Sequence, residues 1–115
     1  MTAYLDNSAT TPVCSEAVEA MKTAVTELWG NPSSLHQKGI EADEMLENAR
    51  SNVARRLFCR DDEVYFTSGG TESNNLAVQG AAHAMRRRGR RIVTTSVEHP
   101  SIDETVKHLE NEGFE

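Results

Sequence analysis

With 115 residues and a net charge of −6, this chain has room for one small domain with a modest core, and its acidity excludes a polyanion as its main partner, since nucleic-acid binding needs a cationic face. Its two cysteines, Cys14 and Cys59, are far apart and form no C-x-x-C pair, which excludes a disulfide framework and a zinc knuckle and fits a reducing compartment. No cationic start runs into an apolar stretch and no uninterrupted apolar run reaches about 18 residues, so the sequence predicts a soluble, cytoplasmic protein with no membrane span.

The first predicted element is an amphipathic helix over residues 15 to 29, with Val18, Met21, Val25 and Leu28 on one face, Ser15 as its cap and Gly30 at its end. After the turn-prone GNPSS, a second helix is expected over 36 to 57, burying Ala42, Leu46, Ala49, Val53 and Leu57. RDDEVYFTSGG reads as a turn, a short strand and a glycine bend. A third helix is expected from Glu72 to about Arg88, broken at Gly89. Its basic run (Arg86, Arg87, Arg88, Arg90, Arg91) reads as a solvated helix end, with a phosphate or protein contact as the minor reading.

RRIVTTSVEHP is a second strand stopped by Pro100, and SIDE then offers a capping box between Ser101 and Glu104. Ile102, Val106 and Leu109 share a face of the fourth helix, which Gly113 ends. The order helix, helix, strand, helix, strand, helix is that of an α/β sheet under assembly. At NEGFE a further strand is due.

Two features at the predicted strand ends carry chemistry. A strand bending through Gly69 and Gly70 into a helix gathers unpaired N–H groups at the positive end of the helix dipole, where Thr71 can donate to an anion or merely cap the helix. On local grounds the anion site and the plain capped turn stand level. G-x-x-x-x-G-K-[ST] and G-x-G-x-x-G are both absent, which removes support for a nucleoside triphosphate or a dinucleotide. His99 follows the second strand at its carboxyl end, the rim where parallel α/β sheets gather ligands, although a lone histidine is more often structural. His36, His83 and His108 have no metal-like spacing with it.

Four stretches in this order, YLDNSATTP, GNPSSLHQKG, FTSGGTESNNLA and TTSVEHPSI, closely resemble the N-terminal part of the cysteine desulfurases, pyridoxal 5'-phosphate (PLP) enzymes of the class V aminotransferase group. Selenocysteine lyases and other class V enzymes are near relatives. The resemblance implies an α/β chain, the N-terminal part of a PLP-dependent transferase of fold type I with a mostly parallel sheet and flanking helices. It implies residues 1–60 as an N-terminal arm and helices, part of the small domain and the entry to the large one, and 61–115 as the start of the large PLP-binding domain.

It also implies that Gly70 and Thr71 bind the cofactor phosphate and that His99 stacks on the pyridine ring and assists proton transfer. Asn7, Ala9 and Thr10 resemble an arm near the active-site mouth, and Asn31 to His36 a segment near the site or dimer interface, with a plain turn and a helix-start hydrogen bond as the alternative readings. Ser8 stands where the family commonly has alanine.

In the family, PLP held on a lysine takes L-cysteine to L-alanine and an enzyme persulfide, which serves iron–sulfur scaffolds and other sulfur acceptors; the intact enzyme is a homodimer. Lys22, Lys38 and Lys107 match no cofactor-lysine motif, and neither Cys14 nor Cys59 matches the sulfur-accepting cysteine. The expectation is therefore a fragment, inactive and unstable alone, of a cysteine desulfurase. The alternatives are a fragment of another class V enzyme and a non-enzymatic anion-binding or dimerisation module.

Overall fold

The computed structural model describes residues 3–115, in two compact units that divide between Tyr65 and Phe66. In the first unit, helix α1 (Ser15–Thr26) begins with Ser15 inside it: the cap position belongs to Cys14, whose side chain makes no cap bond, and the Ser15 hydroxyl donates to Glu16 at 3.1 Å. The helix also stops short of Gly30. The Thr26 hydroxyl donates back to the Lys22 carbonyl at 2.8 Å, the local competition that makes threonine a poor residue for continuing a helix. Val18, Met21 and Val25 do line one face, but they remain 46%, 63% and 73% exposed, since little in this unit lies over them.

Helix α2 (Gln37–Leu57) has the expected span. His36 caps it, Nδ1 accepting from the Gly39 N–H at 3.3 Å, so the helix-start hydrogen bond is what this histidine makes. The preceding loop folds onto the helix start so tightly that a Cβ on Gly39 would stand 2.1 Å from the Ser34 carbonyl oxygen; only glycine permits that approach.

The buried face of α2 differs from the expected stripe. Gly39, Ala42 and Ala54 are buried, whereas Val53 and Leu57 are exposed. The returning chain decides this: Arg50 donates to the Val64 carbonyl and Ser51 to the Asp61 carboxylate, which brings the 3₁₀ turn Asp61–Glu63 across α2. Phe58 closes the helix in the left-handed region at φ 56°, with its own N–H and that of Cys59 both reaching the Ala54 carbonyl.

The second unit pairs α3 (Gly70–Met85) with α4 (Pro100–Asn111). Helix α3 begins two residues before Glu72 and gives way to a turn at Arg86, where the Arg88 and Gly89 N–H groups fold back on the Met85 carbonyl. The core is small: Leu109 is fully buried and Phe114 is 6% exposed. The capping box expected in α4 is not formed. Pro100 takes the first helical position, which moves the cap to His99, and Glu104 turns to Lys107 instead.

None of the described residues forms a strand, so the expected α/β architecture is present in its helices and not in its sheet. A ladder needs a partner, and the segments 64–67 and 91–97 have none over most of their length. One exception stands at the foot of the second. The Ile92 N–H donates to the Glu115 carbonyl at 2.7 Å and the Glu115 N–H to the Arg90 carbonyl at 2.8 Å, the reciprocal pattern of a parallel pair. Arg90 clamps this junction, its guanidinium 5.1 Å from the Phe114 ring centre and 2.7 Å from the Glu112 carbonyl.

Glu112 links the two helices of this unit, accepting from His83 Nε2 at 2.8 Å and lying 3.2 Å from His108 Nε2. The His83 hydrogen bond, with the nearby imidazole charges, holds its carboxyl below the usual value of 4.5. A carboxyl depressed in the folded state stabilises fully above its unfolded pKa and loses that contribution as pH falls through the folded value. Urea midpoints of wild type and Glu112→Gln should therefore differ above pH 4.5 and converge on further acidification; a gap that widens in acid would contradict this link.

A candidate anion cradle and its histidine

The corner at Gly69 and Gly70 is pinned from both sides by residues other than the glycines. Ser68 donates through its N–H (2.7 Å) and its hydroxyl (2.6 Å) to Glu72, and Thr67 Oγ1 lies 2.6 Å from Ser73 Oγ. The hydroxyl and N–H of Ser68 hold the Glu72 carboxyl below its ordinary value and turn this anion back onto the loop. Gly69 is the cap residue of α3, with no side-chain cap bond, and the first intrahelical bond runs from Ser73 N–H to Gly69 carbonyl at 3.1 Å. Among the described residues, the N–H groups of Gly70, Thr71 and Glu72 have no acceptor, and the Thr71 hydroxyl has no partner. Thr71 is thus not the helix cap, although that was one of its two readings in the sequence.

The glycines themselves are not required by the turn. Gly69 has φ 163°, an extended backbone open to any residue, and Gly70 is helical. A Cβ on either would meet nothing within 4 Å. The open space at these two glycines adjoins the positive end of a helix of 16 residues with three free N–H groups, and such a helix start can receive a phosphate or carboxylate.

His99 stands at the mouth of α4. Its Nδ1 accepts from the Ser101 N–H at 3.1 Å and lies 2.8 Å from Ser101 Oγ, which in turn accepts from Asn74 Nδ2 at 2.8 Å. A second set of bonds runs beside it: Thr105 Oγ1 reaches Asn75 Oδ1 at 2.7 Å, and Asn75 Nδ2 donates to the Thr71 carbonyl at 2.8 Å. Ser101 and Thr105 are buried, and no buried side-chain polar atom among the described residues lacks a partner. Thr71 and His99 line one open hollow of about 580 Å³ together with Asn75, Gln79, Ser101 and Thr105.

A larger groove of about 960 Å³ lies along the last turns of α2, from Asn52 to Phe58. It is walled by one helix end and brings no set of polar groups to a point, so the smaller hollow is the better candidate site. The sequence reading missed Asn74, Asn75, Ser101 and Thr105. Their signal was present as polar residues at helical spacing on the faces where α3 and α4 meet.

Cys14 is exposed and Cys59 half-buried, both as free thiols. Among the described residues no group of three or more His, Cys, Asp or Glu is placed to hold a metal ion, and no helix is long and apolar enough to cross a membrane.

Residues 3–115 match the class V aminotransferase family along their whole length, and the chain belongs to that family. Within it, the chain is 53% identical over 111 residues to a NifS/IcsS protein homolog of Lactobacillus delbrueckii subsp. bulgaricus, covering 96% of this chain and 29% of that protein. It is 47% identical over 112 residues to a cysteine desulfurase IscS of Dictyoglomus turgidum, covering 97% and 28%. Among solved structures it is similar to a NifS-like protein, with TM-score 0.88 and 42% identity over all of this chain and 32% of that one. DndA of Streptomyces lividans follows at TM-score 0.76 and 39% identity, over 98% of this chain and 32% of that one. The chain thus spans under a third of the relatives it matches.

Proposed function

We propose that this chain is the cofactor-cradling N-terminal part of a cysteine desulfurase, with PLP as its cofactor and L-cysteine as its substrate. The observation that carries the reading is the clearance at Gly69 and Gly70, which the turn does not need, beside free helix N–H groups and an unpartnered Thr71 hydroxyl. These residues suit a phosphate: backbone donors at short range, a hydroxyl beside them, and the one nearby carboxylate, Glu72, tied back to Ser68.

Gly70 and Thr71 would hold the phosphate of PLP, and His99, lining the same hollow as Thr71, would stack on its ring and handle protons at the ring nitrogen that faces away from α4. Bound there, PLP supplies the electron sink for taking a proton from the substrate Cα. Asn75 and Thr105 brace the floor of the hollow through their mutual bond and keep it satisfied without a ligand.

The products would be L-alanine and an enzyme persulfide, passed to an iron–sulfur scaffold or another sulfur acceptor in the cytoplasm by a homodimer. The persulfide cysteine and the cofactor lysine are assigned to sequence other than these residues, since Cys14 and Cys59 match neither the position nor the surroundings of the family's sulfur-accepting cysteine and Lys22, Lys38 and Lys107 match no cofactor-lysine motif. Residues 1–60 belong on this reading to the arm and small domain and 61–115 to the start of the PLP-binding domain of fold type I, whose parallel sheet the Ile92–Glu115 pair begins.

The test is to load the full-length protein with PLP, add L-cysteine and an excess of a dithiol reductant, which reduces the persulfide and releases its outer sulfur as sulfide, and measure alanine and sulfide. Equimolar release supports the proposal, and a PLP-loaded protein that leaves L-cysteine intact overturns it. Thr71→Val should weaken PLP retention about 10- to 150-fold, the equivalent of about 1.5–3 kcal/mol for a charge-assisted hydrogen bond. An unchanged PLP dissociation constant would remove Thr71 from the cradle.

A further inference from the structure

We infer that Asn74 and Ser101 are positioning residues that hold His99 in a single tautomer, with Nδ1 as an acceptor and the proton on Nε2. Two donors surround Nδ1. The backbone N–H of Ser101 can only donate and points at Nδ1 from 3.1 Å, which favours a lone pair on this nitrogen. Ser101 Oγ, 2.8 Å from the same atom, already accepts from Asn74 Nδ2, which can only donate, so Nδ1 is the acceptor within reach of its own proton. The hydroxyl proton is thereby directed at Nδ1, in the sequence Asn74 N–H to Ser101 Oγ–H to His99 Nδ1.

Burial strengthens the arrangement. Ser101 is 8% exposed, so its hydroxyl has little water to turn to, and Asn74 reaches it from α3 across 27 residues of sequence. A proton placed on Nδ1 would break the α4 cap and leave the Ser101 N–H without an acceptor. The imidazole therefore presents one protonated nitrogen, Nε2, away from the helix start. The use of that nitrogen at a bound cofactor rests on the proposed function above; the tautomer itself does not.

The experiment is a long-range ¹H–¹⁵N correlation on the full-length protein labelled with ¹⁵N-histidine, His99 being assigned through His99→Asn. Wild type should show His99 with Nδ1 bare and Nε2 protonated. Ser101→Ala and, independently, Asn74→Ala should each leave the backbone bond from Ser101 as the one remaining donor set on Nδ1, so that the Nδ1-protonated tautomer becomes detectable beside the capped one, and lower kcat about 10- to 100-fold with KM little changed. Ser101→Thr, which keeps the hydroxyl, should restore both. A wild-type ring protonated at Nδ1, or a tautomer that neither alanine variant disturbs, overturns the inference. A protein that shows the tautomer shift but neither retains PLP nor consumes L-cysteine supports the positioning and overturns the functional reading, so the two failures are separable.

Discussion

His99→Ala in the full-length protein is expected to lower turnover of L-cysteine by about 10²- to 10⁴-fold, the range over which a positioned proton-transfer group acts. The substitution removes two things at once. The imidazole is lost from the hollow it shares with Thr71, and Nδ1 is lost as the acceptor for the Ser101 N–H at the start of α4. Losing a helix cap costs about 1 kcal/mol of stability by itself. His99→Asn separates the effects, because asparagine is among the best cap residues and has no titrating ring. The expected result is a stable His99→Asn protein with turnover as low as that of His99→Ala and an altered absorbance of bound PLP. Recovery of turnover in His99→Asn would reduce His99 to a cap.

Leu109→Ala is expected to destabilise the protein by about 2–5 kcal/mol, read as a lower denaturant midpoint. Leu109 is the largest fully buried side chain described, at 0% exposure. The carbonyl of its residue also receives the N–H groups of Glu112 and Phe114, which wrap the end of α4. Truncation opens a cavity in a unit with few other buried apolar groups to close over it. A loss below about 1 kcal/mol would mean that the second unit's core lies elsewhere. Since the His99 cap sits at the other end of α4, PLP affinity should fall much less than stability.

Much of this was legible in the chain, and the reasons differ by element. The span of α2 followed from a long apolar period with turn residues before it, and the glycine corner and His99 were singled out by their place after β-prone segments. The buried face of α2 was not legible, because the 3₁₀ turn returning across it selects Ala54 over Val53, and that return depends on Arg50 and Ser51 meeting Val64 and Asp61.

The start of α4 misled for a related reason. Ser101 and Glu104 have capping-box spacing, yet Pro100 already has the backbone angle of a first helical residue, so the cap fell to a histidine. Strand character in RIVTT was read from β-branched residues, a preference that becomes a strand only when a neighbour supplies hydrogen bonds. The polar ties between α3 and α4 needed knowledge of which faces meet.

The reciprocal bonds joining residue 115 to 90 and 92 also set a phase. Wherever pairing continues beyond Ile92, alternation assigns Ile92 and Thr94 to one side and Val93 and Thr95 to the other, up to the turn at residues 96 and 97. Ile92 faces the apolar groove it lines with Val78, Ala82 and Phe114, so Val93, 89% exposed, looks the opposite way. A shift by a single step would exchange the two sides, and the Arg90 grip on Phe114 opposes that shift. The molecule thus carries, in two hydrogen bonds and one cation over a ring, the instruction for which flank a second layer of helices must blanket.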